Sequence, residues 1–209
     1  MLKYKHLFWD FDVTLFDSYP QICRAFENTL REAALPVNAF GDDLALLKVS
    51  VFHALRAYAE RFGVSEESLH TCFDKHHHAE GPFPPYDGLR DCLARLRDAG
   101  ATHYLYTHRD ARAWRQLESE GLRALFSDGV TAEDGFPYKP APDALLALMK
   151  RHGLQPGDCA MIGDRDIDVQ SGQNAGMAGI LFDPDNFYPS LSAEGRAAGM
   201  AELTELLIQ

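Results

Sequence analysis

Leu7-Phe8-Trp9-Asp10-Phe11-Asp12-Val13-Thr14-Leu15 is the stretch that decides the fold, an apolar strand that runs into two carboxylates two residues apart. Side chains at i and i+2 of an extended chain point the same way, so Asp10 and Asp12 share one side of the chain where Leu7-Phe8-Trp9 gives way to a loop. Two like charges ~4 Å apart repel by about 4 kcal/mol at an effective dielectric of about 20, so the pair needs a cation or a shared proton. A solvated turn also accounts for aspartates at a strand end, and the rest of the chain has to decide. Trp9 and Phe11 read as core packing.

Residues 4–10 read as a buried strand, and from Ser18 the pattern turns helical, with Ile22, Phe26, Thr29 and Leu30 at three- and four-residue spacing. Leu44-Leu47, then Val51-Phe52, Leu55, Tyr58-Ala59 and Phe62, then Leu69 to Phe73 predict short amphipathic helices broken near Gly41, Ser50 and Gly63. The block stops at Gly81-Pro82-Phe83-Pro84-Pro85, which continues neither a helix nor a central strand. Beyond it the elements alternate. Helix Asp87 to Ala99, strand Thr102 to Tyr106, helix Asp110 to Glu120, strand Phe126 to Val130 and helix Pro142 to His152 lead to strand Cys159 to Ile162, helix Ile167 to Ala175 and strand Gly179 to Phe182. Such alternation predicts an α/β fold with a doubly wound, Rossmann-like parallel sheet. The helical block is too long for a plain connection, so residues 18–82 are expected to form an inserted all-α cap domain on a core of residues 1–17 and 83–209.

At 209 residues and 46% hydrophobic content the chain has room for one full domain and a smaller one. No apolar run is long enough for a bilayer, and Met1-Leu2-Lys3-Tyr4-Lys5 leads straight into the strand without a signal-peptide pattern, so a cytoplasmic location away from membranes is expected. Cys23, Cys72, Cys92 and Cys159 lack C-x-x-C spacing, which argues against a zinc site or a disulfide framework. A formal charge of −11 argues against nucleic acid as a partner. No heptad or apolar stripe favours a monomer over a homodimer.

In an open parallel sheet ligands bind beyond the carboxyl ends of the strands. Asp10 and Asp12 close the first strand, Thr107 follows the strand Thr102 to Tyr106 with His108 and Arg109 beside it, and Lys139 lies in Tyr138-Lys139-Pro140 ahead of a helix. Asp164 stands at another strand end in Gly163-Asp164-Arg165-Asp166-Ile167-Asp168, and Asp168 lies one turn into the next helix. Singly, each has a dull explanation as a cap or a loop residue. Jointly, carboxylates, a hydroxyl and an amine delivered by separate strand ends form a hard-oxygen site for Mg²⁺ with a cationic partner for a phosphate.

The order and spacing of D-x-D-x-T (Asp10 to Thr14), Thr107, Lys139-Pro140 and G-D-x-x-x-D (Gly163 to Asp168) resemble the haloacid dehalogenase superfamily, in its phosphoglycolate phosphatase-like branch with a helical cap after the first motif. The resemblance implies a Mg²⁺-dependent phosphatase acting on a small phosphorylated metabolite, phosphoglycolate-like or a sugar phosphate. Asp10 would be the nucleophile, Asp12 the acid and base, and Thr107 and Lys139 the phosphoryl holders. Asp10, Asp12 through its carbonyl, and Asp164 would hold the metal, with Asp168 orienting Lys139 or a metal-bound water. Val13 stands where the family most often has Gly, which implies a change in the local turn. His108 and Arg109 are less usual after the threonine, and Arg109 is expected either to reach a second anionic group of the substrate or to pair on the surface.

Lys75-His76-His77-His78 is expected to be a solvated helix face, since adjacent helical positions diverge. Lys48 stands near the position of a cap lysine that forms a Schiff base in related phosphonate hydrolases; those lack the second aspartate, so a substrate-contacting or exposed Lys48 is preferred. The alternatives are a sugar-phosphate mutase like β-phosphoglucomutase, a phosphonate hydrolase, and a phospho-ligand binding module without turnover.

Overall fold

The computed structural model describes residues 1–79 and 81–208. The chain divides into two compact units, Met1–Asp17 with Pro84–Gln209, and Ser18–Phe83.

The first unit is built on six strands: β1 (His6–Trp9), β2 (Thr102–Tyr106), β3 (Phe126–Val130), β4 (Cys159–Gly163), β5 (Ala178–Phe182) and β6 (Gly195–Ala197). They pair in the order β3-β2-β1-β4-β5-β6, every neighbour parallel. Strands covered on both faces read as continuous apolar runs, which is why Leu7, Phe8 and Trp9 are all fully buried. The pleat sorts them. Phe8, Tyr104, Tyr106, Cys159 and Met161 form one layer with Leu145 and Leu148 of helix α7 (Asp143–His152). On the other face Trp9 Nε1 donates to His103 Nδ1 at 3.0 Å, and His103 Nε2 lies 3.0 Å from the Leu93 carbonyl of helix α5 (Leu89–Asp98). Burial holds the His103 pKa down to about 4, so the ring is neutral, and both nitrogens are satisfied in the core.

The register aligns Trp9 with Leu105 and with Ile162, so β1, β2 and β4 end at one level. Asp10 N–H still donates to the Ile162 carbonyl at 2.9 Å, and the chain then leaves the sheet. Sheet order reverses about β1, and such a switch point opens a crevice at the strand ends. Helices α6 (Arg112–Ser119) and α8 (Asp166–Asn174) follow β2 and β4.

The second unit holds α1 (Tyr19–Glu32), α2 (Asp43–Val49), α3 (Val51–Phe62) and α4 (Glu66–Ala79). Phe26 and Leu30 of α1 pack with Leu55 and Tyr58 of α3 and Leu69 and Phe73 of α4. Tyr58 Oη donates to Asp43 Oδ1 at 2.6 Å, closing a buried polar pair at the start of α2. Ser50 is extended and accepts from His53 N–H at 2.9 Å, so one residue ends α2 and caps α3.

The basic run in α4 corrects the solvated-face expectation. Lys75 and His78 are exposed, but His76 Nε2 lies 2.9 Å from Glu32 Oε2 and the His77 ring stacks on Phe73 and Phe83. Four adjacent helical positions span more than one face, so α4 buries part of the run as it packs on α1. Glu32, Cys72 and His76 offer ligand atoms within 4.8 Å of one another, with the Lys75 ammonium 2.5 Å from Glu32 Oε2. Beyond Phe182, where the alternation read from the sequence ends, the chain adds β6 and helix α9 (Met200–Leu207). Among the described residues no helix is long and apolar enough to cross a membrane.

Candidate active site

Loop geometry after β1 sets the first two carboxylates. Val13 N–H donates to the Phe16 carbonyl at 2.8 Å, Leu15 N–H returns to the Phe11 carbonyl at 3.0 Å, and the Phe11 and Phe16 rings stack at 4.6 Å. Phe11 is driven inward, so Asp10 and Asp12 stay on the crevice side. Val13 has φ +59°, the left-handed region that favours glycine. The turn therefore has a glycine-type backbone with a valine in it.

Lys139 lies at the centre, its side chain 2% exposed. Its Nζ donates to Asp10 Oδ1 at 2.6 Å and to the Tyr106 carbonyl at 2.9 Å, and pairs with Asp168 Oδ1 at 2.8 Å. Three acceptors match the three donors of an ammonium. Burial alone disfavours that charge, yet Asp10 and Asp168 outweigh it and raise the lysine above its ordinary range. Asp168 Oδ2 accepts from Arg165 N–H at 3.1 Å, so both of its oxygens are engaged. Gly163 lets Asp168 in: a Cβ there would sit 2.3 Å from the Asp168 Cβ and Cγ.

Asp10, Asp164 and Asp168 each offer a carboxylate oxygen within 4.8 Å of the others, and all are buried. Burial, opposed by Lys139 and reinforced by Asp168 and Asp12, pushes Asp10 up to about 7. Burial also lifts Asp164 well above the usual carboxyl range, with Asp168 and Asp10 adding to it. Lys139 and Arg165 counter these shifts only in part. A buried set of hard oxygens still short of positive charge fits a divalent cation, and the fit rests on that deficit.

The segment after β2 supplies the rest. Thr107 is buried, and its Oγ1 accepts from Arg109 N–H at 3.0 Å, which leaves the hydroxyl proton for an anion. His108 Nε2 accepts from Lys139 N–H at 2.9 Å, and its ring meets Tyr138 edge-on at 4.6 Å. Burial, then Lys139, push the His108 pKa down to about 3, so the ring stays a neutral acceptor that holds the Lys139 loop by its backbone. Arg109 turns inward instead of pairing on the surface. Its Nε and Nη2 donate to Asp12 Oδ2 at 3.1 Å and Oδ1 at 2.5 Å, its side chain is 9% exposed, and its guanidinium lies 5.5 Å from the Phe11 ring centre.

Asp10, Asp12, Thr107, His108, Arg109, Lys139, Asp164 and Asp168 thus belong to one neighbourhood of the first unit. Lys48 is on α2 of the other unit, its Nζ 5.3 Å from the Tyr19 ring centre. Sequence reasoning missed Arg165, whose guanidinium is raised by Asp168 and Asp164 against the opposing effect of burial. A lone base among acids in Gly163-Asp164-Arg165-Asp166 was the available signal. The Tyr106 carbonyl left no signal, because backbone acceptors do not depend on side-chain identity.

An aspartate-centred crevice with a buried lysine, at the switch point of a doubly wound sheet, defines an α/β enzyme. Residues 7–182 match the family of haloacid dehalogenase-like hydrolases, and the chain belongs to it. The phosphoglycolate phosphatase of Aliivibrio fischeri (strain ATCC 700601 / ES114) is 28% identical over 189 residues, 82% of this chain and 81% of that protein. Among solved structures, a hydrolase from Streptococcus pneumoniae TIGR4 superposes with a TM-score of 0.66 at 29% identity, covering 91% of this chain and 99% of that one. A predicted phosphoglycolate phosphatase from Haemophilus somnus 129pt shares the fold at a TM-score of 0.83 and 17% identity, covering 99% of each chain.

Proposed function

We propose that the protein is a cytoplasmic phosphatase that hydrolyses a small phosphomonoester through an aspartyl-phosphate on Asp10. The observation that carries the proposal is the Lys139 ammonium joining Asp10 to Asp168, with Asp164 close enough to share a cation with both. The likeness to a protein named phosphoglycolate phosphatase supports it.

An Asp10 carboxylate oxygen attacks phosphorus, the ester P–O bond breaks, and the departing alkoxide takes its proton from Asp12. Water then attacks the same phosphorus and gives a proton to Asp12, which restores the Asp10 carboxylate and frees inorganic phosphate. Thr107 donates its hydroxyl proton to a phosphoryl oxygen. Lys139 balances the phosphoryl charge, aligned by Asp168 and, through its backbone, by His108. Mg²⁺ held by Asp10, Asp164 and the Asp12 carbonyl would return the buried carboxyls to their ionised form and polarise the phosphoryl oxygens. The substrate is expected to resemble phosphoglycolate or a sugar phosphate, with helices 18–83 as the specificity cap and Lys48 among its contacts.

Asp10→Asn removes the nucleophile at constant volume. Turnover of phenyl phosphate is expected to fall by at least about 10³-fold with circular dichroism unchanged, and undiminished turnover rejects the proposal. Product analysis separates hydrolysis from mutase chemistry, since a bisphosphate in place of free phosphate assigns the latter.

A further inference from the structure

Arg109 and Asp12 form a contact that the reaction above has to undo. Asp12 Oδ1 and Oδ2 both receive guanidinium donors, at 2.5 and 3.1 Å. A bidentate fork of this kind occupies a carboxylate's two oxygens together and fixes their plane. Proton transfer to a leaving alcohol needs Asp12 to take up a proton from water once the guanidinium leaves it, and to bring that oxygen within hydrogen-bond reach of the ester oxygen. The fork stands in that approach.

We infer that Arg109 is a substrate-responsive latch, a positioning residue that holds Asp12 until a carboxylate carried by the leaving alcohol takes its place on the guanidinium. The inference rests on the phosphatase reading, takes the phosphoglycolate-like of its two substrate alternatives, and adds what opens Asp12: a carboxylate one or two carbons from the ester oxygen. Distance sets that class. Asp12 has to meet the leaving oxygen, and Arg109 is bonded directly to Asp12, so a substituent close to that oxygen reaches Arg109 and a remote one does not. Chemistry sets it too, because the group best suited to replace one carboxylate on a guanidinium fork is another, with the same planar spacing of oxygens. The guanidinium itself is anchored for the exchange. Its backbone N–H is fixed on Thr107 Oγ1 at 3.0 Å, the Ala132 N–H donates to its carbonyl at 3.0 Å, and the Phe11 ring lies against it. Asp12, its side chain 30% exposed, is the more open of the two partners.

The test compares 2-phosphoglycolate with 2-hydroxyethyl phosphate, which has a neutral hydroxymethyl group in place of the carboxylate. The unaltered protein is expected to favour the first by at least about tenfold in kcat/KM, the equivalent of one good polar contact. Arg109→Gln is expected to bring the two esters within about twofold by lowering the first and raising the second. A merely structural arginine would lower both equally, and an unchanged ratio overturns the latch. Should that variant fail to fold, the unaltered protein still decides the matter. Free acetate is expected to accelerate its hydrolysis of 2-hydroxyethyl phosphate by releasing Asp12 in trans, and inhibition or no effect overturns the inference. Equal turnover of both esters by the unaltered protein also overturns the latch but leaves the phosphatase reading standing. Turnover of neither ester overturns the latch, and turnover of phenyl phosphate then decides whether the phosphatase reading stands.

Discussion

Lys139 holds its charge in the interior because three acceptors surround it, two of them carboxylates. Lys139→Met keeps the stem and removes the ammonium, leaving Asp10, Asp164 and Asp168 together without it. Removing one partner of a buried ion pair costs about 3–5 kcal/mol, and that loss is expected in the denaturant midpoint at pH 8. Because Asp10 takes up its proton near pH 7, the penalty should shrink at pH 5, where the neutral carboxyl no longer needs the lysine. An equal loss at both pH values would mean that Lys139 acts only by packing. Val13 shows the opposite economy at this scale. Its left-handed backbone costs a β-branched residue roughly 1–2 kcal/mol, and burial of its side chain, 5% exposed, offsets that strain in the loop that aims Asp12.

At the scale of elements, β4 and α8 meet because Gly163 has no side chain. The backbone there is not left-handed, so alanine is admissible by conformation and excluded by space alone. Gly163→Ala is expected to push α8 away from the strand end at a cost of about 1–3 kcal/mol and to draw Asp168 off Lys139. Its signature is a lowered unfolding midpoint together with a lowered kcat for phenyl phosphate; loss of stability with full turnover would separate Asp168 from catalysis. The same junction shows what the sequence carries openly. β1, β4 and β5 announce themselves by apolar runs, and Asp10, Thr107 and Asp164 stand at the ends of β1, β2 and β4, so the centre of the sheet and its polar strand ends are legible directly. β6 could not, being three residues, Gly195–Ala197, without an alternating pattern. Partner choice was equally hidden. Nothing in Thr107-His108-Arg109 says that the histidine would take a backbone N–H or that the arginine would fold back onto a residue 97 positions earlier, because such pairings are fixed by the sheet order.

Across the molecule, the acidic cluster ties stability to pH and to cation. Asp10 binds its proton more tightly folded than unfolded, so its contribution is complete below its ordinary value of 3.8 and is lost as pH rises through about 7. Asp164, raised for the same reasons, acts in the same direction. Asp110 and Asp128 run the other way: burial raises each, but Arg112 on the first and His152 and Arg151 on the second lower them overall, so they stabilise above the ordinary carboxyl value and fail in acid. The chelated protein is therefore expected to be most stable at about pH 4.5–6 and to lose melting temperature steadily toward pH 8. A cation bound only by the folded form adds about 2.7 kcal/mol at a hundred times its Kd, roughly 5–11 °C for a chain of this size. Mg²⁺ should restore that much at pH 8 and little at pH 5, where protons occupy the same oxygens, and Asp10→Asn should flatten the slope. Thermal scans with EDTA and with Mg²⁺ at both pH values check this. A chelated protein that melts no lower at pH 8 than at pH 5, and does not respond to Mg²⁺, would show that Lys139 and Arg165 already neutralise the carboxylates and that the crevice holds no cation.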